Sequence, residues 1–455
     1  MLFKLTATAL LRCYATSALF ACCMLHSAAA NSDDFFADID VNVDNLDQLP
    51  SPNKWFVRQL LSYGVEAPGQ GFSRSEVGFN KIETSIHGEV SYTFSERISG
   101  RIEAEAFYDA IYRLDSDIQP SAQELSEFET RFQLRDAYLD ISLTEQWHLR
   151  LGHQIIAWGQ SDAVVIADVI APHNNYTLLQ ADLRDVRLQV PAAHFTRSTS
   201  DFTLDMVLTY DAGFNQLAPL GNEFDPFIAL RDLPQPLAQY NADNKIEYFV
   251  RLKHNFHGGD VSLIMAEANN NTLTLQQAKA EQLSFSQDRF SVLALTSSLS
   301  QGLWVYKAEL GVHHNKSLMP AATKFNHYLG GWPQHDQLLS MAGFDYVGWR
   351  NTTLSLELNL QHTTGNTDAL SIDKNEYGAM FSLLWSDTNE KLTVKANAIS
   401  MLDNNGRIFR LNLEYPLTDA FKVGGLLVHY HFNQSDTLYP YRNNDVVQIY
   451  GQYDF

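Results

Sequence analysis

The chain of 455 residues sets 53 Asp and Glu against 32 Lys and Arg, and a formal charge of −21 argues against a nucleic-acid binder, which presents basic faces. Its cysteines, Cys13, Cys22 and Cys23, all fall within the first thirty residues, so the rest of the chain offers no disulfide framework, thiolate metal site or cysteine nucleophile. Beyond those thirty, no stretch holds roughly eighteen consecutive apolar residues, so no transmembrane helix is expected.

Residues 1–30 carry Lys4 and Arg12, no acid, an apolar stretch rich in Leu, Ala and Phe, and the small-residue exit Ala28-Ala29-Ala30. This pattern predicts a secretory signal that is removed, which would take the charge to −23. Leu19-Phe20-Ala21-Cys22 offers lipoprotein processing as a rival, poorly matched at Phe20. Residues 31–53 read as an acidic periplasmic segment. Its run Asp38-Ile39-Asp40-Val41-Asn42-Val43-Asp44 spaces acids like a calcium loop, but Val43 stands where the turn needs Gly and Leu49 where a Glu should chelate.

From residue 54 onward, apolar and polar residues alternate with a period of two. Ile82–Phe94 and the stretch Arg101–Tyr112 form a hairpin across a short polar turn. Further pairs joined by brief turns are Ala137–Leu143 with Trp147–Trp158, Leu188–Phe195 with Phe202–Tyr210, and Ile246–Phe256 with Val261–Met265. Four more such pairs follow, the last Phe409–Tyr415 with Phe421–Phe432, and then the single terminal strand Val447–Phe455. Between the hairpins lie long polar segments, notably Asp115–Thr130, Gly159–Arg187 and Ala212–Lys245. Short turns at one end and long loops at the other are the outer-membrane arrangement, with the short turns periplasmic. The terminal strand must end in the periplasm, so one upward strand must precede Ile82, and Lys54–Tyr63 is the candidate.

The fold class is therefore all-β, a transmembrane antiparallel β-barrel of about eighteen strands over residues 54–455, with sixteen as the alternative. Tyr92, Phe94, Trp304, Trp349 and Trp385 fall near the short-turn ends, where an interfacial aromatic girdle belongs. Phe455, Tyr453, Ile449 and Val447 share the lipid face of the last strand, and the terminal Tyr453 and Phe455 read as the membrane-insertion signal. The implied address is the bacterial outer membrane, with lipid, lipopolysaccharide and the barrel-assembly machinery as partners. Oligomeric state is left open.

The segment least like a plain strand runs from Leu149 to Pro191. Its Asp162, Asp168, His173, Asp182, Arg184, Asp185 and Arg187, with the apolar run Val164–Ile166, fit a loop that turns into the lumen and sets pore width and field. The alternative is an external loop whose Asp and Arg side chains pair with one another. Asp136-Ala137-Tyr138-Leu139-Asp140, Leu149-Arg150-Leu151-Gly152-His153-Gln154, Trp158-Gly159-Gln160-Ser161-Asp162 and Asp168-Val169-Ile170-Ala171-Pro172 together resemble the bacterial domain-of-unknown-function family 1302. That resemblance implies a porin-like outer-membrane barrel, akin in architecture to alginate-export channels and often accompanied by an inner-membrane exporter.

On the early strands Glu83, Glu89, Glu103, Glu105 and Asp109 face inward, opposed by Arg101, while Arg251, Lys253, Lys307, Arg410 and Lys422 come later. A lumen divided between unlike walls would align a polar or charged solute. His313, His314, His327 and His335 lack a defined metal spacing, and no cofactor is implied. His153 and Ser161 lie too far apart on an extended strand to act as base and nucleophile, so no enzyme is expected. The expected function is an outer-membrane channel. A plugged structural or adhesion barrel and a lipid-modifying enzyme are the alternatives.

Overall fold

The computed structural model describes residues 53–455 except 70, 182–184, 227–244, 273, 280–281, 322–323, 325–326, 329–330, 390, 404, 435 and 437. The signal, the lipoprotein alternative and the calcium-like run lie outside the described residues, as do Asp182 and Arg184. Eighteen antiparallel strands form one sheet that closes on itself. The first five are β1 (Lys54–Gly64), β2 (Gly78–Ser95), β3 (Ile98–Asp109), β4 (Thr130–Ser142) and β5 (Trp147–Gln154). Next come β6 (Val190–Ser198), β7 (Phe202–Tyr210), β8 (Ile246–Phe256), β9 (Gly259–Asn269) and β10 (Arg289–Gln301). The chain continues through β11 (Trp304–Ser317), β12 (Gln334–Trp349), β13 (Thr352–Thr363) and β14 (Asn375–Ser386). It ends with β15 (Thr393–Met401), β16 (Gly406–Pro416), β17 (Phe421–His431) and β18 (Val446–Asp454).

Each strand pairs with the next, and β1 pairs with β18, so no backbone edge is left unpaired. Closure is what lets strands cross a bilayer, because every backbone polar group in the hydrocarbon must find its partner within the sheet. The weakly alternating first strand is present at the predicted place and gives the even count.

Burial is inverted relative to a soluble protein. Ile86, Leu208, Leu293, Leu358 and Ile449 are exposed on the outer face, while Glu89, Asp205, Glu309 and Gln448 are buried on the inner one. Phe455 is 76% exposed and Gln452 only 3%, which gives the last strand the lipid and lumen faces predicted for it. Near the short turns, Trp304 packs against Tyr346, and Tyr346 against Trp349, at centroid distances of 4.5 and 5.6 Å. These contacts consolidate the aromatic girdle.

Some loops carry structure of their own. Asp109 leads into two short helices, α1 (Ile111–Leu114) and α2 (Ala122–Phe128), the latter capped by Ser121, whose side chain accepts the Glu124 N–H. Thr274–Lys279 and Gln282–Ser286 pair as a separate hairpin outside the barrel sheet. The period-two reading missed the helices because each is shorter than a periodicity can establish.

Candidate functional site

The connection from β5 to β6 enters the lumen. At its start, Ile156 and Trp158 join Val207, Phe249 and Ile264 from the wall in one apolar cluster, which Val169 and Ile170 complete. The chain then turns at Gly159, whose φ of +145° lies in a region open to glycine, and meets the wall at β11. There the Glu309 carboxylate accepts three backbone N–H groups of the segment, from Gln160 (2.7 Å), Ser161 (3.1 Å) and Ala167 (2.7 Å). Three hydrogen bonds from one stretch of backbone onto a single buried side chain make it a strong tether. Next to it, Glu357 accepts the Ser161 hydroxyl and the Asp162 N–H, and His313 donates Nε2–H to the Ile166 carbonyl at 2.7 Å.

Ile166 needs room to reach that wall, and Gly311 provides it. A Cβ on residue 311 would sit 2.5 Å from the Ile166 Cγ2, closer than carbon atoms approach. Val164 and Ile166 pack against Leu339 and Met341 on β12. Farther along, Leu178, Leu179 and Val186 join Ile408, Leu426, Val428 and Tyr430 in a second cluster. Arg410 donates to the Leu179 carbonyl (3.1 Å), and the Tyr430 hydroxyl donates to that of Leu178. The segment is thus anchored to the lumen wall from β6 to β18.

Of the residues singled out in the sequence, Asp162, Asp168, His173, Asp185 and Arg187 all lie on this inward segment. Asp162 sits 3.8 Å from Lys307, which also meets Asp345 (3.3 Å) and Glu357 (3.2 Å). Burial and the Glu357 carboxylate push the Asp162 carboxyl up to about 8, with Lys307 pulling the other way. Asp168 accepts from Arg187 (2.8 Å) and from the Trp158 N–H (3.1 Å). His173 is buried, and desolvation lowers it to about 4, so the ring is neutral at ordinary pH. Asp185 reaches across to Arg135 on β4.

The acids of the early strands do not face a distant basic wall. Glu89 and Glu103 are directly opposite each other in the β2–β3 ladder, a placement that repels unless a cation intervenes. Arg101 supplies it, 3.4 Å from Glu89 and 2.7 Å from Glu103, and Arg135 lies 2.9 Å from Glu103 on the other side. Asp109 instead accepts the Ile82 and Ile111 N–H groups at the rim, and Glu83 pairs with Lys81 at 3.2 Å. Arg251 bonds Asp205 at 2.9 Å, and Lys422 bonds Glu414. The division into unlike walls is therefore replaced by cations and acids neutralising one another locally, because neighbouring strands bring them within reach across a ladder spacing.

The histidines do not converge. His313 is committed to Ile166, His314 to Asp336 and His335 to the Thr364 carbonyl. Among the described residues no three His, Cys, Asp or Glu side chains gather as for a metal ion. Sequence reading missed Glu309, Glu357 and Gly311, which hold the segment, and weighed His313 only as a metal ligand. One signal was available: Tyr248-Phe249-Val250, Leu263-Ile264-Met265 and Leu426-Leu427-Val428 break the alternation with continuous apolar runs, as strands do when both faces are covered.

Comparison with known proteins agrees with this architecture. OccAB3 of Acinetobacter baumannii is similar at 10% identity, with 89% of this chain and 98% of that one covered and a TM-score of 0.52. OccAB1 of the same organism matches at 7% identity, with coverage of 89% and 96% and a TM-score of 0.52. A BenF-like porin from Pseudomonas fluorescens Pf-5 matches at 11% identity, with coverage of 89% and 97% and a TM-score of 0.50. At such identities the likeness is one of fold, and the apolar outer belt of the closed barrel is that of a membrane-spanning sheet. No curated protein matches the chain in sequence. The family model described as a protein of unknown function, DUF1302, matches residues 77–401, and the chain belongs to that family.

Proposed function

We propose that the protein is a passive outer-membrane channel for polar or charged solutes, narrowed by the inward segment between β5 and β6. The observation that carries this reading is a polar and charged lumen crossed by one loop that is tied to the wall at defined points, chiefly Glu309, Glu357 and Arg135. A loop so held sets a fixed aperture, and the ion pairs at its margin set the field that a solute meets. The porin fold supports the same reading, and OccK2 of Pseudomonas aeruginosa, whose solved complex contains glucuronate, shares that fold at a TM-score of 0.50. An enzyme is disfavoured, because the segment's Ser161 hydroxyl bonds the carboxylate of Glu357 and, among the described residues, no histidine is hydrogen-bonded to it.

The test is single-channel recording of the refolded full chain in planar bilayers with asymmetric salt. Stable current steps with a reproducible reversal potential are the expected result. Silence from a folded, heat-modifiable barrel would instead indicate a plugged structural or adhesion protein.

A further inference from the structure

At the long-loop end of the lumen the inward segment stands off from the wall. Between its Val164–Val169 stretch and the ends of β9–β13 lies a cleft of about 90 Å³, several times the roughly 15 Å³ that one water needs. One side is apolar, formed by Val164, Val169, Phe290, Leu318, Met319 and Trp332. Asn269, Asn271, Ser317 and Gln337 line the other, and each keeps an oxygen that is buried without a hydrogen-bond partner: Asn269 Oδ1, Asn271 Oδ1, Ser317 Oγ and Gln337 Oε1.

Orphaned buried acceptors are costly, and native folds keep few of them, so four around one cleft need an explanation. Asn269, Ser317 and Gln337 are only 3%, 4% and 2% exposed. The amide nitrogens of Asn271 and Gln337 are already used, donating to the Val169 carbonyl (3.4 Å) and to Thr363 Oγ1 (3.2 Å), which leaves their oxygens as the spare groups. Asp168 holds Arg187, and Lys316 lies 5.4 Å from the Phe290 ring centre and 3.4 Å from His313 Nδ1. Neutral His173 adds no positive charge.

The geometry points to a binding site for an uncharged, ring-sized molecule that carries hydroxyl groups along one edge. The hydroxyls donate to the spare oxygens as those side chains turn toward them, a rotamer change of the kind common at binding sites. The ring lies against the apolar side, between Phe290 and Trp332. An acceptor-rich anion brings nothing to donate and would leave the three amide oxygens of Asn269, Asn271 and Gln337 unsatisfied. This site stands apart from the channel reading, since binding can be measured where no current flows.

The experiment uses the refolded full chain in detergent micelles, with protein-free micelles as the blank, and reads binding by saturation-transfer NMR and calorimetry. Catechol is the probe, 1,2-difluorobenzene is a similar ring without donors, and benzoate is a ring bearing only acceptors. The expected result is saturable one-to-one binding of catechol, at least tenfold weaker for the other two. In Gln337→Met and Ser317→Ala, each checked for heat-modifiable folding, catechol binding should weaken at least fivefold. Should Gln337→Met fail to fold, Ser317→Ala alone decides. Absence of saturable catechol binding, equal binding of difluorobenzene, or unchanged affinity in the folded variants overturns the assignment.

Discussion

Strands β2–β5 and strands β8–β10 line the same lumen with different materials. The first arc presents Glu89, Glu103, Arg101, Arg135, Asp140 and Arg150, joined in ion pairs within and between neighbouring strands. The second presents Phe249, Ile264, Val292 and Ala294, which the inward segment covers. Its outer face is apolar as well, so at these positions the strands are apolar on both sides. An apolar inner wall is stable only under a cover, whereas a charged one can stay wet. The difference therefore separates the arc that holds the segment from the arc along which an aqueous path is left.

The largest test of that division is to replace residues 159–187 by a short Gly-Ser linker. Conductance should then rise several-fold, at some cost in thermal stability, because Phe249 and Ile264 lose their cover. An unchanged step size would mean that the segment does not narrow the pore.

A smaller effect is expected on the charged arc. Replacing Glu103 and Glu105 by Gln removes two acids and leaves Arg101 and Arg135 less compensated, so cation preference should fall. The reading is the reversal potential in a salt gradient, and a value equal to wild type would show that ions do not pass this arc.

The smallest effect is a pH dependence where the inward segment meets β11 and β13. With the segment docked, the Asp162 carboxyl is raised to about 8 from an ordinary 3.8. Its contribution to docking is thus fully present at low pH and is lost as pH rises from about 4 through about 8. Current noise should grow between pH 5 and pH 9, and Asp162→Asn should flatten that dependence. The idea fails if the mutant and wild type change alike.

Much of the barrel was legible because its determinants are local. A period of two, short turns and a parity argument need only neighbouring residues, and they located even Lys54–Tyr63 as the first strand. That the segment could turn inward was also legible, from Val164–Ile166 and the charges around it. What held it there was not. Glu309 and Glu357 look like any lumen acid until the fold brings residues some 149 and 195 positions away in sequence against them. The pairing of Arg101 with both Glu89 and Glu103 likewise depends on ladder register, which alternation alone leaves undetermined.

The seam between β1 and β18 has a consequence for assembly. Arg58 donates to Gln452 across it, 394 residues away, a contact with very high sequence separation. Closure entropy must be paid before that seam returns any bonding energy, so the ring should be the last thing to form. Until it does, β1 and β18 are two bare edges that can pair with another chain. A variant that weakens either terminal strand would therefore act as an assembly defect, leaving an open sheet for quality control to clear, rather than as a leaky pore.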